Sequence, residues 1–155
     1  VTTAIAQFMR ELEHIWDEHT DALLTRRDVA ASLTQVAPVP SVRHIPAMTG
    51  AEGSQGLRRF YAEDFLPHLP ADLLLARISR TVDRFRLVDE MTVSFTHDRE
   101  LPWLLPGISP TFRRAEVLAI AVVAFERRQL RSVRVLWDYA TLTAQLGIPG
   151  LVTSG

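Results

Sequence analysis

The alternation of apolar and polar side chains from Leu73 to His97 constrains this chain more than any other feature. Side chains on a strand point to opposite faces in turn, so the stretch reads as two strands around a tight turn. On the first strand Leu74, Ala76, Ile78, Arg80 and Val82 share a face. On the second, Asp89, Met91, Val93, Phe95 and His97 do. Reversal through Arg84 and Phe85, or through Asp83 to Arg86, sets Ile78 opposite Met91, Ala76 opposite Val93 and Leu74 opposite Phe95. The same register sets Arg80 opposite Asp89. An apolar face that ends in an ion pair, with a histidine farther along it, predicts a lined cavity. The other face carries Arg77, Ser79, Glu90, Thr92 and Ser94 and is predicted to meet solvent or an interface.

The remaining elements supply a cover for that face. Phe8, Leu12, Ile15, Trp16, His19 and Leu23 recur at helical spacing over Thr3 to Leu24, with Thr2 or Thr3 as the cap. A short helix is expected over Asp28 to Leu33, ended by Pro38 and Pro40, and then a short strand over Val42 to Pro46 that carries His44. Leu57, Phe60, Tyr61 and Phe65 give another amphipathic helix, closed by Pro67 and Pro70. Glu116 to Phe125 is apolar on both alternating faces, as a central strand covered on both sides would be. Leu130 to Trp137 returns beside it, and Tyr139 to Leu146 forms a last helix stopped by Gly147. Helices first and long antiparallel hairpins afterwards imply an α+β fold: a cone-shaped curved antiparallel sheet wrapped around N-terminal helices, its open mouth suited to a small apolar ligand. Residues 1–150 are expected to form a single domain and residues 151–155 a frayed tail.

Composition narrows the chemistry. The formal charge is −1, and the arginines are spread along the chain, which argues against nucleic acid or an anionic membrane as partner. No apolar run approaches the roughly 20 residues of a spanning helix, and the N-terminus lacks a signal-peptide plan, so a cytoplasmic location is expected. Cysteine, lysine and asparagine are absent. Thiolate nucleophiles, Schiff bases, a P-loop lysine and an asparagine oxyanion donor drop out, which leaves Asp, Glu, His, Tyr, Ser, Thr and Arg for any chemistry, and acid–base catalysis is expected. No pair of histidines has metal-ligand spacing, since His14 and His19 are five apart on different helical faces. Neither a metal nor a cofactor is expected.

From Asp98 to Thr111 three prolines and a glycine exclude regular structure. Loops of this length are often functional. Trp103, Leu104 and Leu105 would be exposed on it unless they lid a pocket or pack against a second subunit.

Several of these segments together resemble the SnoaL-like group of the nuclear transport factor 2-like superfamily. They are the N-terminal amphipathic helix, Phe60-Tyr61, Val88-Asp89-Glu90, Phe95-Thr96-His97-Asp98, Leu105-Pro106-Gly107 and Trp137-Asp138. The resemblance implies a cone with a deep apolar pocket, commonly a homodimer packed through the sheets, and activities from aldol cyclisation through isomerisation and epoxide opening to binding alone. One fold hosts all of these. The resemblance also points to Asp138 as a pocket carboxylate.

Each candidate residue has a structural reading beside the functional one. Asp89 held by Arg80 is a base or proton shuttle, or a buried carboxylate merely neutralised. His97 lies on the pocket face, where a histidine titrates usefully near neutrality, beside Asp98, which alternation sends to the other face. Asp138 is an acid–base group or the N-cap of the last helix. Arg80 and Tyr61 are assigned to positioning an oxygen or stabilising an oxyanion. His19, on the apolar stripe, is a pocket-wall or ligand-contacting group, and His44 a residue of the rim. Trp16, Met91, Phe95, Trp103 and Trp137 are assigned to apolar wall or lid.

Overall fold

The computed structural model describes residues 2–149; the tail expected to fray lies outside the described residues. Helix α1 (Thr2–Thr20) follows the apolar stripe, with Leu12, Ile15, Trp16 and His19 buried and His14 and Asp17 exposed. It runs into a π-helical turn over Asp21–Thr25. Helix α2 (Val29–Ser32) starts at Asp28, whose carboxylate accepts the Ala31 N–H at 3.0 Å. Strands β1 (Val36–Ile45) and β2 (Thr49–Glu52) come next. Helix α3 (Ser54–Arg59) then passes into a second π-helical stretch, Phe60–Phe65. Four long strands follow: β3 (Leu74–Val82), β4 (Arg86–Thr96), β5 (Arg114–Glu126) and β6 (Gln129–Trp137). Helix α4 (Tyr139–Leu146) ends at Gly147, which takes the left-handed conformation (φ 67°) that glycine adopts without strain. Among the described residues no helix is long and apolar enough to cross a membrane.

The α+β class is as expected, with a curved, unclosed sheet of six strands ordered β2-β1-β6-β5-β4-β3. The pairing differs from expectation at one seam. Strands β3 to β6 are joined by successive antiparallel pairings, but β1 lies parallel to β6, so the sheet is mixed. A parallel neighbour needs a long connection, and the chain between β1 and β6 supplies it. Pro38 and Pro40 lie within β1 rather than ahead of any strand. Its pairing with β6 jumps there from Val36 opposite Leu130 to Ser41 opposite Ser132. Prolines have no N–H to give a ladder, and this irregularity asks none of them.

The central hairpin contains the second correction. The turn at Asp83–Arg86 is as expected: Asp83 Oδ1 accepts the N–H groups of Phe85 and Arg86, both at 2.7 Å. Arg80 stands opposite Asp89 and Ser79 opposite Glu90. Beyond that a bulge at Ile78 inserts one residue, so Arg77 faces Met91 and Leu75 faces Val93. Because the side-chain period is two, one extra residue exchanges the faces for the rest of the strand. Arg77 therefore turns to the concave side, and Leu74 and Ile78 are exposed.

The loop after β4 is an integral part of the core. Leu101, Trp103, Leu104 and Leu105 are all buried within this chain, neither hanging as a free lid nor left for a second subunit. Leu101 O accepts the N–H groups of Leu104 and Leu105, and Trp103 Nε1–H donates to His68 O at 3.0 Å. Full burial of a large apolar side chain contributes about 1.5–3 kcal/mol. The four anchors therefore fix this loop despite its prolines.

Candidate functional site

Between α1 and the concave face lies a cavity of about 550 Å³. It exists because the middle of the sheet carries alanines: Ala119 and Ala121 of β5 both line it, and neither side chain reaches the helix. Ala121 pairs with Asp89 on one side and Val135 on the other; Asp89 pairs with Arg80, and Val135 with His44. Arg80, Asp89, Ala121, Val135 and His44 thus form one row across five strands. At about 4.8 Å per strand, Asp89 and His44 stand roughly 14 Å apart along the sheet. The row has polar groups at its ends and an apolar middle.

At one end Asp89 is enclosed by donors. Arg80 grips it with Nε to Oδ1 at 2.7 Å and Nη2 to Oδ2 at 2.9 Å, and Trp16 Nε1–H donates to Oδ2 at 3.0 Å. Arg80 also binds Asp17 (2.7 and 3.2 Å) and Glu13 (3.4 Å) of α1. The hydrogen bonds to Asp89 raise the Arg80 pKa, against burial that acts the other way, with Asp17 adding to the rise. A carboxylate has about four acceptor positions. Among the described residues three are taken, and the one left belongs to Oδ1.

Beside Trp16, which stacks on it at 5.7 Å, His19 forms a second polar unit. Its Nδ1–H donates to Ser32 O at 2.7 Å, and burial lowers its pKa, so the ring is neutral with Nε2 as acceptor. Tyr61 fills that acceptor, donating its hydroxyl at 3.0 Å. Burial raises the Tyr61 pKa. With its one proton committed to His19, Tyr61 presents lone pairs to the cavity, an acceptor where the sequence suggested an oxyanion donor. The π-helical stretch Phe60–Phe65 that carries Tyr61, and the π-helical turn after α1, both border the cavity. Such local widenings of a helix recur at functional sites.

At the other end of the row His44 sits among Phe60, Phe65, Trp103 and Trp137. Trp137 Nε1–H donates to His44 Nδ1 at 3.1 Å. Burial takes the His44 pKa down to about 4, so the ring is neutral and its proton is on Nε2. Among the described residues that Nε2–H has no partner, and it is not sealed from the cavity that His44 lines. Sequence reasoning placed His44 only at the rim. Its parity with Val42 on a short strand was a signal, but its tryptophan partner is 93 residues away.

Trp16, Met91, Trp103 and Trp137 line the cavity, together with Arg80, Asp89, Tyr61 and His19. Phe95, His97 and Asp138 do not. The cavity stops at Val93 of β4, and Phe95 and His97 continue into the core beneath the Leu101–Thr111 loop. His97 is buried, with Thr111 N–H donating to Nδ1 at 3.2 Å and the Thr111 hydroxyl 3.0 Å away. Its Nε2 has no partner among the described residues, and burial lowers its pKa. Asp138 is exposed and caps α4: Oδ1 accepts Thr141 N–H at 3.2 Å and Oδ2 the Thr141 hydroxyl at 2.6 Å, and these bonds lower its pKa. The structure thus brings together Asp89, Arg80, Trp16, His19 and Tyr61, and leaves His97 and Asp138 elsewhere.

No family model matches the chain, and no curated protein matches it. Solved structures do. A protein from Jannaschia sp. CCS1, provisionally named a SnoaL-like polyketide cyclase, is 17% identical with a TM-score of 0.70, over 93% of this chain and 94% of that one. An NTF2-like protein of unknown function from Burkholderia pseudomallei K96243 is 18% identical with a TM-score of 0.66, over 88% and 97%. The fold is nuclear transport factor 2-like. AclR of Streptomyces galilaeus, provisionally named a hydroxylase, has the same nuclear transport factor 2-like fold at 19% identity, with a TM-score of 0.67 over 94% and 91%. The SnoaL-like resemblance read from the sequence and the structural neighbours therefore agree on one fold.

Proposed function

We propose that the cavity binds a small, mostly apolar oxygenated molecule and that the protein acts on it as a cofactor-independent acid–base enzyme of the cyclase, isomerase or hydrolase type. The observation that carries this reading is the row across the sheet, with a carboxylate at one end and an open imidazole N–H at the other, separated by apolar wall. Asp89, gripped by Arg80 through both carboxylate oxygens, takes a proton from the ligand at the unfilled position of Oδ1. His44 Nε2–H donates to an oxygen at the far end of the ligand, where charge develops in an aromatic, low-dielectric surround. Tyr61 accepts from a ligand hydroxyl, and Trp16 and Trp103 sort ligands by shape. His97 and Asp138 take no part in these steps.

A second reading rests on the three hydrogen bonds already made to Asp89: a binding module in which the polar groups satisfy one another. A panel of apolar ketones, lactones and epoxides separates the two. Turnover by the native protein, lost in Asp89→Asn while binding is kept, supports the enzyme. Binding of several members with turnover of none supports the module.

We propose also that two copies associate through the outer face of the sheet, where exposed Leu118 and Ile120 of β5 adjoin exposed Leu136 of β6. Sedimentation as a monomer at micromolar concentration would remove that part of the proposal. Neither nucleic acid nor a membrane enters this reading.

A further inference from the structure

The charged groups around the cavity are not evenly matched. Three carboxylates line it, Asp17, Asp21 and Asp89. Each already has an arginine: Asp17 and Asp89 share Arg80, and Asp21 accepts from Arg26 Nε at 3.0 Å. Three arginines also line it, Arg27, Arg77 and Arg80. Arg80 is saturated by carboxylates, whereas Arg27 and Arg77 have neither an ion pair nor a side-chain hydrogen bond among the described residues. Charge left without a partner at this cavity is therefore positive, and it comes as two guanidinium groups.

Both arginines are placed there by local irregularities of the backbone. Arg77 belongs on the outer face by simple alternation; the bulge at Ile78 turns it inward, to the edge of the row Arg77, Met91, Ala119 and Trp137. Arg27 stands in the turn between the π-helical end of α1 and α2, with φ 52°, a left-handed conformation that costs a residue with a side chain. Both are exposed, so they belong to the mouth, while the aromatic end around His44 is buried. Leu73, Leu74 and Leu75 lie next to Arg77 and also line the cavity. A site with a buried aromatic floor, an apolar rim and two free guanidinium groups at its mouth fits one kind of molecule.

We propose that the ligand is an amphipathic carboxylic acid, its apolar body between Trp103, Trp137 and Met91 and its carboxylate held at the mouth by Arg27 and Arg77. The guanidinium fork matches a carboxylate in geometry as well as charge. Arg26 and Arg80 are paired with five carboxylates, Glu13, Asp17, Glu18, Asp21 and Asp89, so there is no general positive field at the mouth and discrimination comes from contact with Arg27 and Arg77. This rests on the reading of the cavity as a small-molecule site and adds the chemical class of the molecule.

Intrinsic fluorescence tests it directly, because all three tryptophans of the chain, Trp16, Trp103 and Trp137, line the cavity. The two titrants are adamantane-1-carboxylate and its neutral relative adamantane-1-carboxamide, which share an apolar body and do not absorb where tryptophan does. With the native chain the carboxylate is expected to bind about tenfold tighter than the amide, the size of a charge-assisted hydrogen bond. Arg27→Gln and Arg77→Gln should each reduce that preference, and the double variant should abolish it, with affinity for the amide unchanged. Equal binding of acid and amide by the native chain overturns the proposal and leaves the cavity reading standing, as does a preference that survives in the double variant. No response to either compound sinks both.

Discussion

The two ends of the row across the sheet make a buried polar group tolerable in opposite ways. At the Asp89 end the charge is kept and compensated: one arginine serves Asp89, Asp17 and Glu13, and Trp16 adds a neutral donor. At the His44 end charge is avoided, since an aromatic surround keeps the imidazole neutral and fills one nitrogen from Trp137. The first solution leaves almost no hydrogen-bonding capacity over. The second leaves one donor open. A buried charge needs several partners to be stable, whereas a neutral ring needs only one or two. Capacity to bind an uncharged oxygen therefore concentrates at the neutral end.

The largest effect should come from breaking compensation at the charged end. Arg80→Gln leaves Asp89 buried without its counter-charge and is expected to cost about 3–5 kcal/mol in urea unfolding. Asp89→Asn should cost clearly less, because Arg80 keeps Asp17 and Glu13. Equal losses would mean that compensation is not what holds this end.

Acid sharpens the contrast at the other end. His44 has a folded pKa of about 4 against an ordinary 6.5. Below 6.5 the unfolded chain takes up a proton that the folded ring refuses. The stability contributed by the neutral ring is complete above that pH and lost as pH falls toward 4, by about 3 kcal/mol in all. His19 and His97, also lowered by burial, add loss of the same sign. The His44 share is the difference between the native chain and His44→Phe, whose stability curve should be flatter over that window. Identical curves would refute the neutral-histidine account.

Filling the middle of the row should affect both ends together. Ala121→Leu places a larger side chain between Asp89 and Val135 and is expected to weaken binding of a compact apolar ketone such as camphor at least about tenfold, at an overpacking cost of about 1–3 kcal/mol. Undiminished binding in calorimetry would place the ligand outside the row. The smallest effect is expected from His44→Phe on the same ketone, about fivefold for one neutral hydrogen bond. His97→Phe, as control, should leave that affinity unchanged, since His97 stands off the cavity.

Much of the fold was legible, and the reasons are local. The turn at Asp83–Arg86 fixes the register of the nearest rungs, so Arg80 and Asp89 could be paired from sequence alone. Helix α1 could be read from its stripe, including the inward direction of Trp16 and His19. The site was less legible. His97 and Asp89 share a parity, and parity cannot tell where along a strand the cavity ends; the Leu101–Thr111 loop decided that by covering Phe95 and His97. Asp138 precedes a helix, and among the described residues its side chain hydrogen-bonds to Thr141 alone, as an N-cap.

What the sequence determined by itself is what periodicity and near neighbours control: the strands, the amphipathic helices, the α+β class, and a carboxylate facing an arginine across a tight hairpin. Tertiary structure alone decided the rest. One residue inserted at Ile78 reversed the faces of β3 and turned Arg77 to the cavity, a change of phase that alternation cannot register. The parallel seam of β1 with β6 brought His44 to the row and to Trp137, because pairing between distant strands depends on the fit of whole faces rather than on any local signal. The volume of the cavity, too, belongs to the assembled sheet, since Ala119 and Ala121 leave space only once their larger neighbours stand on either side.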